Sequence, residues 1–132
     1  MRDRLFKLAA AGSFFAALYH LTAIAIPTFG AMAYPPTYPL WRHLIFIVID
    51  TAFGALFLRR PTWLIWPYAL LVLQIYNGHG VGAWTMWQRE GRIDWVSVIT
   101  VVGATLGLVL LIADRKAVTS AVTGSQENAR VE

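Results

Sequence analysis

Four apolar blocks, separated by proline-bearing or charged breaks, divide this chain. The first, Leu8–Ile26, holds 19 residues. As α-helix it spans about 29 Å at roughly 1.5 Å per residue, close to the thickness of a bilayer's hydrocarbon core. It predicts a helix over 5–26, stopped by Pro27. A second helix is predicted over 39–58, with Pro39 in the first turn, where a missing N–H costs nothing. A third is predicted over 62–78. Pro67 lies near its start, and the run Gly78-His79-Gly80-Val81-Gly82 is expected to end it. A short interfacial helix around 83–88 follows in the next loop. A fourth helix is predicted over 94–113, capped by Asp94. The expected fold is all-α, a four-helix transmembrane bundle over residues 1–116. Residues 117–132 read as a flexible cytoplasmic tail. The uncharged stretch from Phe29 to Leu40, with Pro35 and Pro36, reads as a loop lying on the bundle or in the headgroup layer.

Composition agrees with that pattern. Of 132 residues, 58% are hydrophobic and 14% charged. Soluble domains carry about 25% charged residues. Met1–Lys7 and Ala31-Met32-Ala33 resemble parts of a signal peptide. The apolar stretch between them is longer than such a segment uses, which predicts a retained helix. The basic residues are unevenly placed. Eight (Arg2, Arg4, Lys7, Arg59, Arg60, Arg115, Lys116 and Arg130) fall on one side of the expected bundle. Three (Arg42, Arg89 and Arg92) fall on the other. By the positive-inside rule both termini are cytoplasmic. This placement accounts for the net charge of +4 without a nucleic-acid partner. The tryptophans fall at the same borders: Trp41, Trp84, Trp87 and Trp95 at one, Trp63 and Trp66 at the other. The sequence has no cysteine, which excludes disulfides and thiolate chemistry.

Asp50 interrupts the run HLIFIVIDTAFGALFL. A carboxylate at that depth is costly and normally faces protein or a wet cavity, so its default reading is functional. His43 lies seven residues earlier, close to two turns, and shares its face. Tyr19 and His20 lie near the end of the first helix. Gln74 and Asn77 align on the third, with His79 beyond them. Together these residues predict a polar pocket in the outer half of the bundle. Asp50 floors it, and Tyr19, His20, His43, Gln74, Asn77 and His79 wall it. Asp50 and His20 form its acid–base pair. Most also have a structural explanation: Asp50 as a buried acceptor for Tyr19 or Tyr68, His43 as an interfacial residue, His79 as a surface or loop residue, Gln74 and Asn77 as links between helices. Three histidines and an aspartate suit zinc, copper or iron. None of their spacings is a helical ligand pair, so no metal site is assigned. The cofactor remains unknown from sequence. No serine lies in a nucleophile-elbow context, and there is no phosphate loop or dinucleotide fingerprint.

Packing signals are the small residues. Gly103 and Gly107 are four apart, Ala9, Ser13 and Ala17 form a ridge on the first helix, and Gly54 offers a smooth spot on the second. Arg42-His43, Arg59-Arg60-Pro61, Gln74-x-Tyr76-x-x-His79-Gly80 and Asp94-Trp95 resemble small uncharacterised bacterial four-helix membrane proteins over residues 15–115. That resemblance implies a bacterial inner-membrane bundle and carries no activity. In size and layout the chain is also similar to DoxX-like and sterol-isomerase-type four-helix domains, an architectural likeness only. The expected function is binding of a small amphipathic or apolar ligand, of lipid, quinone or isoprenoid class. The alternatives are an accessory subunit of a larger membrane complex and a small proton-coupled transporter acting as a homodimer.

Overall fold

A computed structural model describes residues 1–30 and 39–131, with the side chains of Pro27, Gly30 and residues 118–131 outside the description. Four helices carry the chain, and no strand occurs among the described residues. The first, α1, is Arg2–Ala25. Ile26 then leaves the helical region (φ −130°, ψ 90°), as a residue before proline must, and Pro27–Gly30 adds one helical turn. The expected loop over 31–38 lies outside the described residues.

The second helix, α2, is Leu40–Arg59. It stops at Arg60, whose backbone is left-handed (φ 53°, ψ 50°). A side chain in that region costs roughly 1–2 kcal/mol. Two contacts oppose the cost. Arg60 Nη1 donates to Asp3 Oδ1 at 2.8 Å, and the guanidinium lies 5.1 Å from the centre of the Phe6 ring. Pro61 and the turn Thr62–Leu64 then lead directly upward again.

The third helix, α3, covers residues 65–90 as three joined pieces: α-helical Ile65–Ile75, a π-helical turn Tyr76–Gly80, and α-helical Val81–Glu90. The expected end at Gly78 is therefore corrected. The glycine-rich run stays helical, and the separate helix expected near 83–88 is its continuation. Glycine's helix penalty, about 1 kcal/mol each, is comparable to one net hydrogen bond, and continued winding keeps the backbone groups of the run paired. Gly91, at φ 64°, supplies the actual stop.

The fourth helix, α4, is Trp95–Val131, well past the expected end at 113. The segment read as a flexible tail is helical up to Val131. Its alanines, glutamine and glutamate are good helix formers, and no proline interrupts it. The predicted starts near residues 5, 39, 62 and 94 lie within three residues of the observed first helical positions.

Packing follows chain order. α1 lies against α2, α3 lies against α4, and α1 also touches α4. Phe6, Ala10, Phe57, Leu64, Tyr68, Val72, Ile75, Ala104 and Leu111 form a single apolar core drawn from all four helices and the turn before α3. Gly54 seats the Phe14 ring and Gly107 seats Tyr68. At one end of the bundle, Asp3–Arg60 and Arg2–Asp114 (3.0 Å) tie together the start of α1, the end of α2 and α4. This is the basic end; the opposite end carries the histidines. Three helices (α1, α2 and residues 95–117 of α4) are long and apolar enough to cross a membrane.

Candidate functional site

The histidine end brings α1 and α2 together through polar groups. His20 Nδ1 lies 3.0 Å from His43 Nδ1. Two ring nitrogens at that separation share one proton, so one ring donates and the other accepts. The other side of the His20 ring faces Asp50, with Nε2 3.9 Å from Oδ2. That is ion-pair range but longer than a hydrogen bond. Both side chains are mostly enclosed, His20 at 15% and Asp50 at 13% exposure. His43 is buried. The heptad spacing on α2 thus aims His43 and Asp50 at the same α1 ring.

That ring is held by its neighbours. Phe46, between His43 and Asp50 on α2, stacks on His20 at 5.2 Å and 17°. Tyr19 meets the same ring edge-on at 5.7 Å and packs in turn on Phe29 at 5.2 Å. An imidazole fixed between two aromatic rings keeps its two nitrogens pointed at different partners. Here those partners are His43 and Asp50.

A second polar group joins α3 to α4. His79 Nδ1 lies 3.0 Å from Ser97 Oγ. Ser97 Oγ donates to Asp94 Oδ2 at 2.6 Å, and the Ser97 N–H donates to Asp94 Oδ1 at 3.0 Å. Asp94 is therefore the helix cap that the sequence predicted. Since the serine proton goes to the carboxylate, the His79 N–H is the donor in its bond to Ser97. Ser97 and Asp94 are fully buried and were not among the expected site residues. The Asp-x-x-Ser spacing was the available signal, because N-cap and N3 side chains meet at a helix start.

The π turn positions His79. The extra residue in that turn changes which face the following residues present. The two polar groups lie at the same end of the bundle, one between α1 and α2 and the other between α3 and α4. Histidines from three helices therefore gather at one end. Gln74 and Asn77 do not join them. Both are exposed on α3, and neither makes a side-chain hydrogen bond among the described residues. Their three-residue spacing aligns them with each other, as expected, but on a face turned away from the site.

Asp50 accepts no hydrogen bond from Tyr19 or Tyr68 among the described residues, although Tyr68 lies within its electrostatic reach. No three His, Asp or Glu side chains converge in a metal-holding group among the described residues. No protein-family model, no curated protein and no solved structure matches this chain.

Proposed function

We propose that the protein is an integral membrane protein of four crossings, with α3 as the fourth and both termini cytoplasmic, in a bacterial inner membrane. Its outer half binds a small amphipathic ligand of lipid, quinone or isoprenoid class. The observation that carries the reading is the series His43–His20–Asp50, enclosed between two helices that are otherwise apolar. An apolar bundle with a few convergent polar groups suits a ligand that has a long apolar body and one polar end. Exposed tryptophans at both ends support the membrane placement: Trp41, Trp84, Trp87 and Trp95 at the histidine end, Trp63 and Trp66 at the basic end. The clustering of arginines and lysines at the basic end supports the orientation, and the resemblance to small bacterial membrane proteins supports the inner membrane.

The test is mass spectrometry of small molecules retained by protein purified in mild detergent. Asp50→Asn is isosteric and keeps the α1–α2 contact. It is expected to lose a ligand that the parent protein retains while keeping its helical circular dichroism and elution volume. Retention of the same ligand by Asp50→Asn would defeat the reading.

A further inference from the structure

Two amides on the outer face of α3 find nothing to bond within their own chain. Gln74 and Asn77 are exposed, and neither makes a side-chain hydrogen bond among the described residues. They point away from Tyr68, Val72 and Ile75, the α3 residues buried in the core. Leu70 and Leu73 share that outer side and are 68% and 67% exposed. The Gln74 amide lies along Gly78, with Nε2 3.9 Å from where a Cβ would stand, and glycine has no side chain to cover it.

The continuation of α3 to Glu90 sets the depth of these groups. Trp66 and Trp84 are exposed at the two borders of the helix. They are 18 residues apart in the chain. That is about 27 Å of helix, close to the roughly 30 Å of a hydrocarbon core. Gln74 falls eight residues after Trp66, and Asn77 seven before Trp84. Each is therefore about 10–12 Å from the nearer border, well inside the slab. Lipid chains there offer neither donor nor acceptor, so an unpaired amide is costly. Hydroxyls in the paired helix α4 escape that cost locally. Thr100 and Thr105 donate to carbonyls four residues back, at 2.8 and 2.7 Å, and the Tyr76 hydroxyl meets Thr105 Oγ1 at 3.0 Å. A primary amide has two donors and an acceptor, and those of Gln74 and Asn77 are unused among the described residues.

We propose that this face of α3 is where two copies of the chain meet side by side in the membrane, with the Gln74 and Asn77 amides bonding across a two-fold axis. The pairing goes beyond ligand binding and rests on the reading above only for the membrane placement of α3. Copies inserted in the same orientation hold each amide at the depth of its own counterpart, so no adjustment of register is needed. A primary amide both donates and accepts, so it complements an identical one. Polar links of this kind, together with close apolar contact, join helices in lipid. Leu70, Leu73 and Val81, all exposed, supply the apolar contact on either side of the amides. The histidine site faces the other way, between α1 and α2, and is left intact by the pairing.

The experiment uses full-length protein reconstituted in liposomes. The natural chain has no cysteine, so single cysteines are specific probes. Leu70→Cys and Leu73→Cys are expected to form disulfide-linked dimers under mild oxidation at a low protein-to-lipid ratio. Val48→Cys is the matched control. It sits midway along α2, Val48 is 68% exposed, and the variant is expected to stay monomeric at the same ratio. Energy transfer between copies labelled at an N-terminal tag, diluted with lipid, gives the dissociation constant. Replacing both amides, Gln74→Leu with Asn77→Leu, is expected to raise it at least about tenfold without changing the helical circular dichroism. Monomers at every dilution, equal crosslinking at Val48→Cys, or an unchanged constant in the double variant would overturn the pairing. Capture of a different membrane protein by Leu73→Cys in native membranes, in place of a second copy, would also count against it. Crosslinking is read on chains that keep both amides, so an unstable double variant does not spoil the test. Labelling of Arg59→Cys and Arg92→Cys from opposite sides establishes separately that α3 crosses, so a failed pairing is not confused with a failed membrane placement. Asp50→Asn is expected to leave the constant unchanged, so pairing and ligand binding stand or fall independently.

Discussion

Gly103 and Gly107 look equivalent in sequence and are not equivalent in the fold. A Cβ at Gly107 would lie 2.5 Å from the Tyr68 hydroxyl and 3.0 Å from its ring, whereas a Cβ at Gly103 meets nothing within 4 Å. Tyr68 is wedged between Phe53 and Phe57 and cannot retreat. Gly107→Ala is therefore expected to destabilise the protein by about 1–3 kcal/mol. Gly103→Ala should be neutral or stabilising by up to about 1 kcal/mol, through helix propensity. Gly54→Ala falls between them, because the Phe14 ring it meets at 2.7 Å is 40% exposed and can swing aside. Unfolding of the three variants in mixed detergent micelles, compared by circular dichroism, gives the ranking. A larger loss at Gly103 than at Gly107 would contradict it. The same scale shows what a sequence can disclose about a site. The His43–Asp50 pair was legible because two helical turns fix a common face, and His20 was legible as a polar residue at matching depth. Periodicity aligns Gln74 and Asn77 with each other without saying which way their shared face points, and that face is exposed.

At the level of the helices, the informative departure is the π turn in α3. Glycine-rich sequence suggested a break, and the chain instead accommodates an extra residue and continues. That insertion is invisible to a 3.6-residue pattern, so the bond between His79 and Ser97 was not legible even though each residue was visible. A π turn uses one more residue per turn than an α turn, so deleting Gly78 should restore ordinary winding and leave the two parts of α3 facing as they do now. The expected result is a helical protein whose His79 ring signals still depend on Ser97, tested by nitrogen NMR with Ser97→Ala as the comparison. Loss of that dependence would show that the turn does more than absorb one residue. Asp94 gives a second prediction. Asp94→Ala removes the cap and leaves the buried Ser97 hydroxyl without its acceptor, and should cost about 1–3 kcal/mol in the same unfolding assay. A cost under about 0.5 kcal/mol would mean that the cap contributes little. The start of α4 was legible from Asp94 alone. Its length was not, because a polar, alanine-rich segment can be helix or coil until packing and context decide.

For the whole molecule, the number of crossings decides the orientation of everything else. The natural chain has no cysteine, so single cysteines report on topology without background. With four crossings, Arg4→Cys and Lys116→Cys should react with a membrane-impermeant maleimide from one side, and Arg92→Cys from the other. With three crossings, Arg4→Cys and Lys116→Cys would label from opposite sides. The all-helical plan and its three long apolar helices were the most legible layer, since long apolar blocks are a property of the chain before it folds. Which helices pair was less so, because short connections only favour neighbours and do not impose them. A final consequence concerns the bend at Gly91. The rods on either side of it are joined by Tyr68 on Gly107, Tyr76 on Thr105 at 3.0 Å and His79 on Ser97, none of which depends on the peptide link between them. The gene divided at that bend should therefore yield two fragments that find each other in the cell and copurify, a natural starting point for a split reporter.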